Sequence, residues 1–266
     1  MVDRDGRGDD GFLAGIRVLE LSDELGEYCG KVLAGLGAEV VKVEPTAGES
    51  TRQYGPHNGD RSDLNGSLYF WHYGFGKKSV TIDLDDDDGR DTFRRLAASA
   101  DVILESRPRG YMAERGLSFR HLQALNAGII LCRVSPFGDD GPWADYRGSD
   151  LVHLALGGVV MNCGYDPDPT GTYDTPPIAP QMWHAYHITG EMAAMAVVAA
   201  LYYREQSGRG QELVVTVHDA VAKQTELDAP NWVYARQVHG RATCRHSMPQ
   251  PNTAQKIAAT KDGRWI

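Results

Sequence analysis

The fold is decided between residues 15 and 44, which read GIRVLEL (15–21), YCGKVLAGL (28–36) and EVVKVE (39–44). The first and third segments are short apolar runs rich in β-branched residues, which predict buried strands. The middle segment spaces its apolar residues as a helix does, and Gly37 follows it where a helix commonly ends. Strand, helix and strand within thirty residues form a βαβ unit, which implies a parallel sheet with a right-handed crossover.

The same alternation continues along the chain. Strands are predicted at 79–84, 101–105 and 129–134, and helices at 88–98 and 117–125. The acids at 85–88 predict an N-terminal cap for the first of these helices. Residues 45–64 are rich in Gly, Pro, Asn and Asp and are interpreted as a long surface loop. The expected fold class is therefore α/β, a Rossmann-like doubly wound parallel sheet.

The second half predicts a helix at 150–160, a proline-rich loop at 166–180 and a buried central helix at 191–203, apolar almost all round. A strand at 212–217 and a helix from 219 follow. We expect a disordered leader at 1–12, a large domain at 13–225, and a connecting segment at 226–266. This last segment would begin a second, smaller domain in a truncated chain, since 261–266 predicts a turn opening a strand.

Composition narrows the functional classes. The chain has 266 residues and a net charge of -9, which argues against nucleic-acid binding because phosphates need cationic partners. It contains no apolar run long enough to cross a membrane and no apolar leader, so we expect a cytoplasmic protein. Its four cysteines form no CxxC pair, and neither a metal site nor a disulfide framework is predicted.

Several segments, in order, resemble the family III coenzyme A transferases, the group that contains the carnitine, formyl and oxalate transferases. They are GIRVLEL (15–21), LAGLGAEVVKVEPTAGEST (33–51), GKKSVTIDL (76–84), ADVILE (100–105), ERGLSFRHLQALNAGII (114–130), VSPFGDDGP (134–142), SDLVHLALGG (149–158) and TGEMAAMAVVAALYYREQSGRGQELVVTVHDA (189–220). The resemblance implies acyl-CoA as substrate, a carboxylic acid as acceptor, and two chains interlocked as a dimer. Composition, and not the resemblance, is the ground for expecting no metal and no membrane or nucleic-acid partner.

The resemblance also implies a nucleophilic aspartate four residues before the glycine that opens the long helix. This position holds Tyr186, in the segment from Tyr186 to Gly190. A phenol is almost wholly protonated at pH 7, with a reference pKa of ~10, so it does not replace an ionised carboxylate. Either the usual chemistry is impaired, or His187 or Glu191 supports a changed chemistry, or the alignment is shifted by one residue.

The CoA site implied by the resemblance has two parts. Adenine would lie against the strand end at Ile82, Asp83 and Leu84, and phosphates would meet the loop 106–115. The predicted CoA-binding residues in and after that loop are Ser106, Arg107, Arg115 and Phe137, with Arg109 as a further candidate. Guanidinium groups suit phosphate because they bind its oxygens in pairs.

Three functions remain open. The first is a CoA-transferase. The second is a non-catalytic CoA-binding half, or a partner in a tandem or heteromeric transferase. The weakest is an NAD-binding domain, with Glu44 as a ribose-binding acid, but its first turn reads GEYCG where such domains carry GxGxxG. In the racemase branch a histidine would stand at Ser149, so that acid–base pair is missing, and His153 lies one turn further on.

Overall fold

The computed structural model describes residues 11–59, 63–225, 228–238, 241 and 259–264. Most of the predicted leader and of the segment after 238 lies outside these residues. The chain divides into two compact units, one made of Met1–Arg147 with Tyr186–Val217 and the other of Gly148–Ala185 with His218–Ile266. The predicted domain boundaries after residues 12 and 225 therefore stay predictions.

A six-stranded parallel sheet organises the first unit, with strand order β3-β2-β1-β4-β5-β6. The strands are β1 (Arg17–Leu21), β2 (Glu39–Glu44), β3 (Lys78–Thr81), β4 (Val102–Glu105), β5 (Ile130–Ser135) and β6 (Glu212–Thr216). Among the described residues, the α-helices of four or more residues are α1 (Glu27–Gly35), α2 (Leu68–Gly74), α3 (Asp87–Ala97), α4 (Tyr111–Glu114), α5 (Phe119–Leu125), α6 (Asp150–Leu156), α7 (His184–Ser207) and α8 (Val217–Ala222). The α/β class and the parallel sheet are confirmed.

The strands β1, β2 and β3 succeed one another in one direction across the sheet, and β4, β5 and β6 in the other, so the direction reverses between β1 and β4. In parallel sheets, ligands bind outside the carboxyl ends of the strands at such a point. β4 and β5 are buried along their whole length, and this explains their continuous apolar sequence. The edge strand β3 is mostly exposed and ends at Thr81, so the predicted strand over 79–84 was too long. Ile82 and Leu84 leave the sheet and pack into the core instead.

The core between the sheet and its helices is apolar and closely packed. Leu19 and Ile103 from the central strands belong to one buried cluster with Phe93 of α3 and Leu122 of α5, all of them almost fully buried. The predicted cap of α3 is confirmed, because the Asp86 carboxylate accepts the backbone N–H of Gly89 at 3.3 Å. This core fixes the carboxyl ends of the strands, where the polar residues gather.

The expectation that the long helix is buried was wrong. The long helix α7 buries one face, with Val197 fully buried, but leaves Met195 and Tyr202 each 64% exposed. A groove of about 680 Å³ with almost wholly apolar walls lies between α1 and the face of α7 that carries Met195, Val198 and Tyr202. The loop 45–64 is mostly exposed where it is described, as expected, but Glu49 and Thr51 within it are buried. None of the helices described is long and apolar enough to cross a membrane.

In the second unit, α6 is shorter than the predicted helix over 150–160. Ser149 caps its start, since its hydroxyl accepts the N–H of Val152 at 3.3 Å. The helix ends at Leu156 because Gly157 and Gly158 follow, and Gly158 has a positive φ of 87°. A Cβ on Gly157 would come within 2.5 Å of Val221, so glycine permits a close approach there.

Candidate functional site

A small hollow lies at the carboxyl edge of the sheet, beside the ends of β1, β2 and β3. Its volume is about 80 Å³. It is lined by Leu21, Val43, Glu44, Pro45, Ile82, Asp83, Leu84, Asp85, Arg107 and Tyr111. The structure thus brings together four predicted CoA-binding residues that are up to twenty-five positions apart in the sequence. Five of the lining residues are apolar, three are acids, and Arg107 and Tyr111 complete the wall.

Arg107 is held by an acid from inside the protein. Its Nη2 lies 2.6 Å and its Nη1 3.4 Å from the carboxylate oxygens of Glu49, which is 3% exposed. Although burial opposes the charge, Glu49 raises the pKa of the Arg107 guanidinium above its usual value. A phosphate that binds Arg107 must therefore compete with Glu49 or share the guanidinium with it.

Arg115 and Arg109 are also paired with acids. Arg115 stacks on the Tyr111 ring, with its guanidinium carbon 3.6 Å from the ring centre, and its Nη2 lies 2.5 Å from Asp85. Arg109 lies 3.1 Å from Asp145 at the surface. Arg115 therefore reaches the hollow through Tyr111 and Asp85, which line it, whereas Arg109 points to a different acid.

Ser106 and Phe137 have neighbours other than those lining the hollow. The Ser106 hydroxyl donates to Asp23 Oδ1 at 2.7 Å and accepts the Asp23 N–H at 3.0 Å. Phe137 packs edge-on against Trp143 and Tyr146, with ring centres 5.9 and 6.3 Å away. Ser106 thus joins the loop after β4 to the turn after β1, and Phe137 belongs to the loop that follows β5.

A buried ion cluster fills the turn between β1 and α1. Lys42 lies 3.1 Å from Glu20 and 2.8 Å from Glu27, and Lys77 lies 2.7 Å from Glu20. All four side chains are at most 2% exposed. Gly30 makes room for the cluster, since a Cβ there would lie 1.7 Å from Glu20 Oε2. The place where a dinucleotide-binding domain receives its pyrophosphate is therefore occupied by protein charges.

The acids of this cluster respond differently to burial. Burial would raise the pKa of Glu20, but Lys77 and Lys42 together lower it below its ordinary value. For Glu27 burial prevails, and its pKa is raised. Its carboxylate also accepts the Thr51 hydroxyl at 2.6 Å, which anchors the loop after β2.

Glu44 is saturated by partners from the protein. Arg52 donates to both of its carboxylate oxygens, at 2.6 and 2.7 Å, and the Glu49 N–H donates at 3.0 Å. The Ser79 hydroxyl donates as well. Burial opposes this effect, but these donors lower the pKa of Glu44 to about 2. A ribose would have to displace them, so the geometry does not support the NAD-binding alternative.

The residues predicted for catalysis lie in the first turn of α7. Tyr186 is 3% exposed. The Nε2 atom of the neighbouring His187 lies 2.7 Å from the Tyr73 hydroxyl, and its ring centre is 4.3 Å from that of Tyr28. Gly190 allows this contact with α1, because a Cβ there would lie 2.9 Å from the Cys29 nitrogen. His187 is thus oriented by two tyrosines, an arrangement that gave no signal in the sequence.

The other candidate histidine is in the second unit. His153 is fully buried on α6, where a Cβ on Gly148 would lie 2.0 Å from its Nε2. Burial, with a contribution from His218, lowers the pKa of His153 to about 4. It is therefore neutral at pH 7 and fits a packing role better than a role as proton donor.

Sequence reasoning missed Glu49, Tyr111 and Glu105. Glu49 belongs to the loop that was expected to be exposed. Tyr111 lies within the predicted loop, but only its stacking with Arg115 shows that it lines the hollow. Glu105 ends β4 and is buried, and its position at a strand's carboxyl end was the available signal.

The chain is similar in sequence to known CoA-transferases. The chain is similar to the Thauera aromatica protein "Succinyl-CoA:(R)-benzylsuccinate CoA-transferase subunit BbsE", with 37% identity over 81% of this chain and 51% of that protein. It is 34% identical to "Succinyl-CoA--D-citramalate CoA-transferase" of Chloroflexus aurantiacus, over 94% of this chain and 60% of the relative.

A CAIB/BAIF family protein from Brucella suis has a similar crystal structure. Its TM-score is 0.83 at 29% identity, and the match covers 96% of this chain and 65% of that one. The chain therefore spans between about half and two thirds of the length of these relatives. The model of "CoA-transferase family III" matches residues 13–266. This chain belongs to CoA-transferase family III.

Proposed function

We propose that this chain is the CoA-binding portion of a protein that moves CoA between an acyl-CoA and a carboxylic acid. The observation that carries the proposal is the hollow at the carboxyl edge of the sheet in a chain of this family. Ile82 and Leu84 would contact adenine there, Tyr111 would supply an aromatic edge, and Arg107 would meet phosphate. The two relatives compared above are named for CoA transfer from succinyl-CoA.

The acids around the hollow set the expected strength of binding. Arg107 is paired with Glu49, and Arg115 with Asp85. CoA is strongly anionic, so its phosphates would compete with these carboxylates. We therefore expect modest affinity that falls steeply with added salt, because the ligand interacts through partly exposed arginines.

Calorimetric titration with CoA tests this binding mode. Arg107→Ala should weaken binding at least tenfold, since it removes a charge-assisted contact. Arg17→Ala is the matched control, because Arg17 is partly exposed and lies at the start of β1, at the opposite edge of the sheet. Equal affinity of the two variants, or no binding of CoA to the wild-type protein at millimolar concentration, would contradict the proposed site.

We propose further that Tyr186 is not an acyl acceptor, so the usual route through a mixed anhydride is impaired in this chain. Its side chain is almost completely buried, and a phenol does not supply the ionised oxygen that the route needs. His187, held by Tyr73, remains a candidate base for a changed chemistry.

The second candidate function is a non-catalytic partner, paired as a homodimer or with a second transferase half that carries the aspartate. Two observations favour it. Tyr186 is buried, and the Thauera relative is named as a subunit. In that arrangement this chain would bind CoA or brace a competent half.

Two substitutions at one position distinguish these possibilities. Tyr186→Phe removes only the hydroxyl, so CoA exchange by the intact protein, alone or with a partner, should stay within about twofold. Tyr186→Asp supplies a carboxylate, and hydroxylamine-sensitive acyl transfer should appear if the surrounding site is intact. A loss of a hundredfold or more in Tyr186→Phe, with unchanged thermal unfolding, would show that the hydroxyl takes part in the chemistry.

A further inference from the structure

Glu105 connects the sheet to the loop that carries the candidate phosphate-binding arginines. It is the last residue of β4 and is 1% exposed. Its Oε1 accepts Arg133 Nη1 at 2.8 Å, and its Oε2 accepts the backbone N–H of Arg107 at 2.7 Å. One carboxylate therefore holds both a neighbouring strand, β5, and the backbone of the loop 106–110.

The charges around Glu105 do not balance. Arg133 is paired with two acids, because its Nη1 lies 2.8 Å from Glu105 Oε1 and its Nε lies 2.8 Å from Asp139 Oδ1. The Arg107 guanidinium is engaged by Glu49. Glu49, Glu105 and Asp139 thus share two arginines. A further titratable neighbour of Glu105 is the Cys132 thiol on β5. Burial, with Glu105 adding to it, raises the pKa of Cys132 to about 12, so this neighbour adds no charge near pH 7.

We propose that Glu105 is a proton-operated latch, whose ionised carboxylate fixes the loop 106–110 and whose uptake of one proton loosens it. An ionised carboxylate is the stronger acceptor for the Arg107 N–H. Protonation leaves Arg133 to Asp139 and weakens the bond to the loop. The latch needs no ligand, because all of its groups belong to this chain.

Two opposing effects set the titration of Glu105. Burial raises its pKa to about 7, although Arg133 and the Arg107 N–H act against it. Ionisation therefore lowers overall stability as the pH rises, whereas the bond to the Arg107 N–H, which acts to lower this pKa, is stronger for the ionised carboxylate. Ionisation of Glu105, and tightening of the loop, take place as the pH rises through about 7.

A consequence for ligand binding rests on the proposed function, whereas the latch does not. A phosphate group at Arg107 would add negative charge close to Glu105 and raise its pKa further. Binding of CoA near pH 7 should then take up a fraction of a proton. Calorimetry in two buffers with different ionisation enthalpies would measure this uptake.

Amide hydrogen exchange tests the latch without CoA. In the wild-type protein the protection factor of the Arg107 amide, corrected for the intrinsic pH dependence of exchange, should rise roughly tenfold between pH 6 and pH 8.5. The amide of Asp101 is an internal reference, since it donates to the Arg17 carbonyl at 2.9 Å at the other end of β4. A protection factor for Arg107 that stays flat across this range overturns the proposal.

Two variants complete the experiment. Glu105→Gln should give low, pH-independent protection at Arg107. Glu39→Gln should keep the wild-type response, because Glu39 is a partly exposed acid at the opposite edge of the sheet. If Glu105→Gln does not fold, the side-chain carboxyl carbon of Glu105 can be titrated by NMR in the wild-type protein. A midpoint between pH 6 and 8 supports the latch, and a midpoint outside this range refutes it. If the protein does not bind CoA, the proposed function is refuted, but the hydrogen-exchange and NMR tests of the latch are unaffected.

Discussion

Lys42→Met should be strongly destabilising, because Lys42 is the shared cation of the buried cluster. Its Nζ lies between Glu20 and Glu27, and it also donates to the Ser22 carbonyl at 2.5 Å. Two acids and two lysines, Lys42 and Lys77, make the cluster neutral. Removing Lys42 leaves one negative charge without a cation in a site that water does not reach.

The magnitude follows from this geometry. Removing one partner of a buried ion pair costs about 3 to 5 kcal/mol. For a protein of this size such a loss corresponds to a fall in Tm of roughly 6 to 20 °C. Lys78→Met is the matched control, since Lys78 is on the adjacent strand but 52% exposed, and pairs with Glu39, which is 36% exposed. Its expected cost is below about 1 kcal/mol.

Urea denaturation of both variants measures the difference directly. The double variant Lys42→Met/Glu27→Gln restores neutrality and should recover at least about 2 kcal/mol of the loss. Burial raises the pKa of Glu27 even with Lys42 present, so the deficit of Lys42→Met should be smaller at pH 5 than at pH 8. A difference of less than about 1 kcal/mol between Lys42→Met and Lys78→Met would refute the reasoning, because it would mean that the cluster is not desolvated.

Two further predictions concern packing and acid stability. Gly30→Ala should cost roughly 1 to 3 kcal/mol, because its Cβ would overlap Glu20, which cannot swing away. Gly35→Ala, in the same helix with nothing within 4 Å, should be neutral or slightly stabilising in the same thermal unfolding assay. Burial, with His218 adding to it, depresses the pKa of His153 to about 4, below its unfolded value of 6.5. Stability should therefore fall by about 2 kcal/mol between pH 7 and pH 5. His153→Leu should remove that dependence, and an unchanged pH profile would contradict the assignment.

The sheet was largely predictable because most of its strands are buried on both faces. Such strands appear as continuous apolar runs, and β1, β2, β4 and β5 lie within two residues of the predicted bounds. The exception is β3. Its predicted end included Ile82 and Leu84, which are apolar because they pack into the core after the strand has ended. Periodicity alone does not distinguish these two reasons for an apolar residue.

The exposure of α7 was not predictable from its composition. An apolar helix is expected to be buried, yet only its inner face is buried in this chain, and Met195 and Tyr202 remain exposed. The composition of a helix indicates that a face is suited to burial. Which of its faces are buried depends on the elements that pack against the helix.

The candidate site shows a more general limit of reading charges along a sequence. Arginines near Arg107 are easily found, and each suggests a contact with phosphate. The acids that pair with these arginines come from distant segments. Glu49 is 58 residues from its partner Arg107, and Glu105 is 28 residues from its partner Arg133. Once these pairs are known, the number of arginines no longer measures how well the edge attracts an anion. The affinity then depends on the balance between each internal carboxylate and the incoming phosphate, and that balance shifts with salt and with pH. It follows that a substitution of an acid, such as Glu49→Gln, should change CoA binding as much as a substitution of the arginine that it holds.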